Sequence, residues 1–460
     1  MTELTERLAE YGAAERTRPL PDIVRHHARR ALIDWFATLL PGSCLPPATL
    51  LARALTDEAR HDGAILYPTF KRASLRSAAL INATAAHTVE FDDIFRDAVY
   101  HPGCPVIGAA LAAAQARCAD GEALLRAIVI AYEISTRIGL AVQPSHYRFW
   151  HTTGTIGTFG AAAAVASILK LDPTPFAHAL ANAATFAAGL QQAFRSDAMS
   201  KPLHPGHAAE AGALAALAAA EGVTGALDVL DGPAGFGAAM CEKPDWSLAL
   251  AGLGERYNIT IMTFKNHGCC GHIFAAIDGM LELKRQYNLT PEAIARARIG
   301  SYRAALDLTD RPRVATPFEG RFSTQFCVAS AVVHGSVRLD AYSPERLADP
   351  AVQSLMKHIE IALDPECDAA FPRRRSAIVE VETTDGRTLR HLQPTRKGDP
   401  EAPLSDDELA HKFFELAVPV IGQPAANALI ASIRTLGPGT PIDFLGDFLS
   451  ESPRPAVAVA

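Results

Sequence analysis

Residues 149–169 read FWHTTGTIGTFGAAAAVASIL and carry no charged side chain. The first part of this run contains one histidine, four threonines and three glycines, whereas its last third is strongly apolar. A membrane-spanning helix needs about 20 predominantly apolar residues in a row, so this composition argues against a membrane span. The run predicts a loop that leads into a buried helix at residues 160–171.

Alanine-rich segments of the same kind lie on both sides of this run. Alanine has the highest helix propensity, and the apolar residues of these segments cover most of the helix circumference, which is typical of central helices in a bundle. The first two thirds of the chain therefore predict a large helical bundle. The predicted helices are 23–39, 77–89, 105–119, 121–142, 160–171, 174–194 and 207–221.

The sequence pattern changes after a predicted helix at residues 272–287. Short, β-branched segments at 297–305, 359–363 and 377–382 are typical of strands, and TDGR at 384–387 predicts a hairpin turn. Ser405 and Glu408 then predict the capped start of another helix. We therefore predict a mainly α protein with a large discontinuous helical domain, residues 1–264 and 401–460, and a smaller α+β domain, residues 265–400.

The composition excludes several classes of protein. The 460 residues are 49% hydrophobic and 20% charged, which is typical of a globular chain and not of a disordered or fibrous one. The net charge of -7 gives no basic field for nucleic acid or an anionic membrane. The first residues contain acidic as well as basic side chains and no apolar stretch, so we expect no signal peptide and a cytoplasmic location. Eight cysteines without a CxxC motif favour reduced thiols.

The first of four polar groups contains HTVEFDD at residues 87–93 and HPG at 101–103. Clustered carboxylates make one another harder to ionise, and a nearby histidine or lysine relieves this cost. One interpretation is a metal site, a second is an acid–base pair, and a third is a helix end followed by a capping loop. The candidate metal ligands are His87, Asp92, Asp93, Asp97 and His101.

The second polar group is HTTGTIGTFG at residues 151–160. Glycines and hydroxyls at a helix N-terminus can hold an anion, because unpaired N–H groups and the helix dipole attract negative charge. No GK[ST] sequence follows, so this group is not a P-loop. A flexible turn before a close-packed helix is the alternative.

The two remaining groups each contain a lysine, in SKPLHPGH at residues 200–207 and FKNHGCCGH at 264–272. Burial lowers the pKa of a lysine and makes it a possible base, whereas an exposed lysine is only a solvated charge. The thiols and imidazoles of residues 264–272 suggest zinc, but their spacing is too tight for a CxxC…HxxxH site. Proton transfer by a thiol and a lysine, or a helix entry without chemistry, are the alternatives.

Taken in order, these groups resemble the MmgE/PrpD family. The resemblance implies a large discontinuous helical domain, a smaller α+β domain, a cleft between them, a homodimer and no cofactor or metal. The resemblance covers most of the chain. The family includes dehydratases, decarboxylases and epimerases of small polycarboxylates. Its motifs here are FDD at 91–93, HPG at 101–103, HTTGTIGTFGAAAA at 151–164, SKPLHPGHAAEAG at 200–212, FKNHGCC at 264–270 and RFSTQFCVASAVVHG at 321–335.

The resemblance also implies roles for individual residues. The acidic segment before HPG falls on Glu90, Asp92 and Asp93. The implied catalytic residues are His101, His151, Lys201 and Lys265, and the expected substrate-binding residues are Asp93, Thr153, Cys270 and His272.

Departures from the family pattern guide the choice of reaction. Ile94 stands where many relatives have threonine, Phe326 where many have tyrosine, and His267 at another aromatic position. A dehydratase must protonate a leaving hydroxyl, so the lost hydroxyl groups weaken that assignment. An epimerase needs only one base and one acid at a Cα next to a carboxylate, with cations to stabilise the charge.

We therefore expect an epimerase of an iminodisuccinate-like polycarboxylate that works by Cα-proton abstraction and reprotonation. The alternatives within enzymes are dehydration of a 2-methylcitrate-like acid and decarboxylation of a cis-aconitate-like acid. A non-enzymatic carboxylate-binding protein and a metalloenzyme are the competing classes. The expected partner is a small polycarboxylate, without nucleic acid or membrane.

Overall fold

Two compact units make up the computed structural model, which describes residues 4–67, 69, 71–196 and 198–443. Among these residues, unit 1 contains those up to Met262 and those from Ser405 to Asp443, and unit 2 contains Thr263–Leu404. Unit 1 is helical apart from a short two-stranded antiparallel sheet, whereas unit 2 combines helices with a four-stranded sheet. This arrangement confirms the predicted class, mainly α with a smaller α+β part.

The helices of unit 1 pack around buried, alanine-rich faces. Its short sheet joins strands Ala59–Ile65 and Arg72–Ala73, and single 3₁₀ turns connect several of the helices. The α-helices are Leu4–Glu15, Asp22–Gly42, Ala48–Ala54, Leu75–Thr88, Gly103–Ala116, Gly121–Val142, Thr152–Ile168, Pro173–Phe186, Ser200–Ala220, Phe236–Met240, Ser247–Leu250 and Asp406–Thr435.

The central helix Thr152–Ile168 corrects one prediction, because residues 152–159 are helical and not a loop. Every residue of this helix is buried. A Cβ atom on Gly157 would lie 2.7 Å from the side chain of Pro105, and one on Gly160 would lie 2.7 Å from Val106. The glycines lower the helix propensity, but they allow neighbouring helices to approach closely, and this packing decides the conformation.

Two other predicted helix bounds differ by more than a turn from the structure. The helix predicted from residue 207 begins at Ser200, so the whole SKPLHPGH group lies in its first turns. Pro202 loses no hydrogen bond there, since the first four N–H groups of a helix have no helical partner. The helix predicted for 174–194 ends at Phe186, and a 3₁₀ turn at Gln191–Phe194 follows.

The helix Asp406–Thr435 begins with the predicted capping box, because Ser405 Oγ accepts from Glu408 N and Glu408 Oε2 accepts from Ser405 N. Within the part of the chain described, it is the helix whose length and composition would allow it to cross a membrane. The core helix of a globular protein passes the same test, and this helix packs on Asp22–Gly42 with half of its apolar window buried. It therefore serves here as a core helix of unit 1.

Unit 2 contains a four-stranded mixed sheet in the order Ile359–Leu363, Ile294–Ser301, Ala377–Thr383, Thr388–Gln393. The first pair is parallel and the others are antiparallel. The predicted turn at 384–387 joins the last two strands, but the first predicted strand ends at Ser301, before a short helix. The α-helices are Phe274–Tyr287, Arg303–Thr309, Pro317–Arg321, Thr324–His334, Pro344–Leu347, Pro350–Met356 and Pro365–Ala370.

Candidate active site

A carboxylate shared by two histidines forms the centre of the candidate site in unit 1. His87 is the penultimate residue of helix Leu75–Thr88, and His101 precedes helix Gly103–Ala116. The Nδ1 atoms of His87 and His101 lie 2.8 Å and 3.0 Å from the same oxygen, Asp92 Oδ2. Cys104 Sγ donates to that oxygen as well, at 3.2 Å. The two helix ends and the segment between them therefore bring both rings to one carboxylate.

Burial determines the protonation of His87. Its side chain is fully buried, and this desolvation lowers its pKa to about 3 although Asp92 opposes the shift. The ring is therefore neutral, and it carries its proton on Nδ1 where the carboxylate can accept it. Its other nitrogen, Nε2, is buried without a hydrogen-bond partner among the described residues.

Asp93 has a different environment from its neighbour Asp92. Its Oδ1 accepts from Gly103 N at 3.0 Å, and its Oδ2 accepts from Tyr132 Oη at 2.8 Å. A Cβ atom on residue 103 would lie 2.7 Å from Asp93 Oδ1, so this approach requires the glycine of the HPG motif. Burial, supported by the charge of Asp34, raises the pKa of Asp93 to about 8. Asp93, predicted to bind substrate, thus supports the start of the helix after His101.

His151 and Thr153 lie next to these histidines. Thr153 Oγ1 accepts from the backbone N–H of His101 at 3.2 Å. The His151 ring lies 5.6 Å from the His87 ring, measured between centroids, and its Nδ1 lies 2.9 Å from His204 Nδ1. Burial lowers the pKa of His151 well below its ordinary value, and the neighbouring histidines contribute. The structure therefore brings three of the predicted residues together: His101, His151 and Thr153.

Lys201 is buried and paired with Glu90, so it is not the exposed, solvated charge that one interpretation of the sequence offered. Its side chain is 7% exposed and donates to Glu90 Oε1. Its Nζ also lies 5.2 Å from the centroid of the Phe194 ring, which in turn lies 4.7 Å from the His151 ring. A buried ammonium group therefore belongs to the same cluster as the histidines.

The other three predicted residues, Lys265, Cys270 and His272, belong to unit 2 and are buried there. His272 Nδ1 lies 2.8 Å from Tyr302 Oη, and Cys270 N donates to Arg321 O at 2.8 Å. Burial, with the charges of Arg375 and Arg396, lowers the pKa of His272 well below its ordinary value. Their roles remain predictions from the family resemblance.

The possible metal ligands do not lie where the zinc interpretation placed them. Within the described ranges, the group with ligand atoms close enough for an ion is His87, Asp92 and Cys104, whose atoms lie within 4.8 Å of one another. Two of these residues were candidate ligands in the sequence. In the 264–272 segment, His267 Nε2 lies 2.8 Å from Asp278 Oδ1 instead. The approaches of His87 Nδ1 and Cys104 Sγ to Asp92 Oδ2 have hydrogen-bond lengths, so hydrogen bonding accounts for them.

Sequence reasoning missed three contributors to the cluster. Cys104 directly follows the HPG motif, and Tyr132 lies within an apolar helix, so neither had a pattern that suggested a role. His204 was part of the SKPLHPGH group but had no assigned function. The signal that could have found it is its position three residues after Lys201, which places both side chains on one side of a helix.

The fold and the site together define a class: a mainly helical protein of two units with a buried imidazole–carboxylate cluster suited to acid–base chemistry. Comparison with known families identifies it further. Residues 6–249 match the MmgE/PrpD N-terminal domain, and residues 267–436 match the MmgE/PrpD C-terminal domain. The chain therefore belongs to the MmgE/PrpD family, which confirms the resemblance.

The chain is similar to several proteins named as cis-aconitate decarboxylases or as decarboxylase-like. It is 27% identical over 463 residues to the cis-aconitate decarboxylase-like protein oryM of Aspergillus oryzae, covering 94% of each chain. It is also 27% identical to cis-aconitate decarboxylase of Mus musculus, over 78% of this chain and 75% of the relative. The identity to cis-aconitate decarboxylase of Aspergillus terreus is 23%, over 95% of each. These relatives are lyases by name, and they give no support to the expected epimerase.

Proposed function

We propose that this protein is a lyase that decarboxylates a small polycarboxylate of the cis-aconitate kind. The observation that carries the proposal is the pair of contacts from His87 and His101 to one oxygen of the buried Asp92. Relatives named as cis-aconitate decarboxylases or decarboxylase-like proteins, matched over most of their length, support the substrate class. Epimerisation, which the sequence favoured, is thus the second candidate.

The reaction requires a proton at carbon. When the carboxylate on the methylene carbon of cis-aconitate leaves as CO₂, its bonding electrons form a new double bond to the central carbon. The electrons of the old double bond then take up one proton at the former vinyl carbon. One proton is consumed and one CO₂ is released in each turnover, so the enzyme needs a general acid beside that carbon.

His101 is the best-placed proton donor in unit 1. Its ring is partly exposed, whereas the rings of His87 and His151 are buried. Asp92 Oδ2 lies 3.0 Å from Nδ1 of this ring, which leaves Nε2 as the nitrogen that can face the substrate. Thr153 fixes the backbone of His101. Loss of the proton to carbon would return His101 to the neutral form until it is recharged.

Lys201 supplies positive charge to the same region. The charge that develops on the substrate during CO₂ loss is negative, and a preorganised cation in a water-poor site stabilises such charge strongly. Glu90 holds the ammonium group in place. We assign Lys201 to the binding of a substrate carboxylate and the stabilisation of this charge.

Epimerisation of an iminodisuccinate-like acid is the second candidate. It is favoured by the presence of two separate proton-carrying pairs, His101 with Asp92 and Lys201 with Glu90. Such pairs would suit removal of a Cα proton by one group and its return by another. Release of CO₂ distinguishes the two reactions, because epimerisation releases none.

The test measures CO₂ release from cis-aconitate by the wild type, His101→Gln and His411→Gln. We expect His101→Gln to lower turnover by roughly 100-fold or more, since a positioned general acid contributes about 10²–10⁴-fold. His411 is an exposed histidine of unit 1 and provides the matched control. Wild-type turnover in His101→Gln would refute the assignment, and tight binding without any CO₂ release would favour the carboxylate-binding class.

A further inference from the structure

A surface pocket of about 490 Å³ lies in unit 1 beside the candidate site. It is lined mainly by small and apolar residues of the segment 188–203, together with His204 and His207. His207 is exposed and its Nε2 lies 3.2 Å from Phe186 O. His204 is only partly exposed, so it forms the inner wall of this pocket.

His204 connects the pocket with the buried histidines. Its Nδ1 lies 2.9 Å from His151 Nδ1, and the two ring centroids lie 5.2 Å apart. The His151 ring lies 5.6 Å from the His87 ring, and the His87 ring lies 5.0 Å from the His101 ring. Four imidazoles thus form a continuous row from the surface pocket to Asp92.

Both rings of the outer pair are neutral. Burial lowers the pKa of His204 to about 4, with contributions from the charges of Lys201 and His207. Burial also lowers the pKa of His151 well below its ordinary value, with contributions from the neighbouring histidines. A hydrogen bond between two Nδ1 atoms requires a proton on one and a lone pair on the other. The tautomers of the two rings are therefore coupled.

We propose that His204 and His151 form a proton relay that recharges the acid of the candidate site from water in the pocket. A proton enters at His204 Nε2, the Nδ1 proton of His204 passes to His151 Nδ1, and the Nε2 proton of His151 passes through water in the emptied site to Nε2 of the neutral His101 that the reaction leaves. One proton enters the pair and one leaves it, so its net charge is unchanged, and both rings return to their starting tautomers before the next proton passes. His204 acts through His151 and does not touch the substrate.

This inference rests on the proposed function, because a decarboxylase consumes one proton in every turnover. A relay that recharges the acid has no effect on the first turnover of an enzyme that already carries its proton. Every later turnover depends on the relay, because the acid must first regain its proton. A residue that only positions His151 would affect the first turnover and the later ones equally, and this difference makes the two roles separable.

The variant His204→Asn separates them further. The asparagine amide can occupy the place of Nδ1 and still hydrogen-bond to His151, but it has no second nitrogen through which a proton can pass. The matched control is His207→Asn, which makes the same chemical change on the same helix and in the same pocket without a contact to His151. The experiment compares single-turnover and steady-state conversion of cis-aconitate at one pH.

We expect the first turnover of His204→Asn to stay within about twofold of the wild type and its steady-state rate to fall roughly tenfold or more, since positioned proton transfer contributes about 10²–10⁴-fold. Added imidazole should restore the steady-state rate of His204→Ala, and 1-methylimidazole, which has one blocked nitrogen, should not. His207→Asn should match the wild type in both measurements.

A steady-state rate of His204→Asn equal to that of the wild type would overturn the relay. A parallel loss of the first and later turnovers would also overturn it, in favour of a positioning role. Equal rescue by both imidazoles would overturn it too. A wild type that does not convert cis-aconitate would instead refute the proposed function, and the relay with it.

Discussion

Lys412 Nζ lies 2.6 Å from Asp34 Oδ1, in a fully buried ion pair between two helices of unit 1. The same ammonium group donates to Phe91 O at 2.7 Å and lies 4.4 Å from the centroid of the Phe91 ring. Phe91 directly precedes Asp92. The helix Asp406–Thr435 therefore holds the acidic segment of the candidate site, although about 320 residues separate them in sequence.

Lys412→Met should destabilise unit 1 strongly, because it leaves Asp34 as a buried charge without its partner. Breaking one side of a buried ion pair costs about 3–5 kcal/mol in the free energy of unfolding. Urea denaturation should show this loss, and Lys412→Met with Asp34→Asn should recover part of it. The control is Lys243→Met at an exposed lysine. Equal midpoints for Lys412→Met and Lys243→Met would contradict the structural role.

Asp92→Asn should abolish most activity without unfolding the protein. The asparagine amide would donate to the His87 nitrogen from which Asp92 now accepts, which forces the wrong tautomer of that histidine. We expect turnover to fall on the order of 100-fold or more, measured as CO₂ release. Asp97→Asn changes an exposed acid of the same segment and should leave turnover unchanged. Similar rates for both variants would exclude Asp92 from the site.

Asp93 predicts a pH dependence of stability. Burial raises its pKa to about 8 in the folded protein, above the value of about 3.9 for an unfolded chain. The stability that the protonated acid provides is therefore complete below about pH 4 and is lost as the pH rises through 8, by about 1.4 kcal/mol per pH unit.

Asp93→Asn tests this dependence, because asparagine is neutral at every pH and can bond both Gly103 and Tyr132. The free energy of unfolding of the wild type should fall relative to that of Asp93→Asn between pH 4 and 8. Asp97→Asn should keep the wild-type slope. Parallel pH profiles for the wild type and Asp93→Asn would show that Asp93 is ionised in the folded protein at neutral pH.

Lys201 needs a paired substitution, since its loss leaves the buried Glu90 without the ammonium group. Lys201→Met should therefore lower both turnover and thermal stability. Lys201→Met with Glu90→Gln should regain stability but not turnover, because the cation that stabilises the developing charge is still absent. Recovery of turnover in the double variant would remove Lys201 from the chemistry.

The sequence predicted the fold class well because its main signal is local. Alanine-rich helices and β-branched strands differ in composition and in the spacing of their apolar residues. The capping residues Ser405 and Glu408 mark a helix start on their own. The start of the helix at Thr152 was wrong because three glycines argue against helix locally. Their benefit is the close approach of Pro105 and Val106, which no local pattern shows.

The site was harder to predict because its geometry depends on contacts between distant residues. The motifs pointed to His101, His151 and Lys201, which the structure places in one cluster around the partly exposed ring of His101. Asp92 and Asp93 are adjacent and identical in type, and only Tyr132 and Gly103 on one side and the histidines on the other distinguish them. The domain limits, the homodimer and the cytoplasmic location remain predictions.

The most direct test of the proposed function is proton NMR of the wild type with cis-aconitate in heavy water. We predict loss of the vinyl signal of cis-aconitate, new signals of a terminal methylene double bond, and one deuteron at the carbon that receives the solvent proton. Unchanged cis-aconitate, together with deuterium exchange at the Cα of iminodisuccinate as its diastereomers interconvert, would contradict the decarboxylase and establish the epimerase.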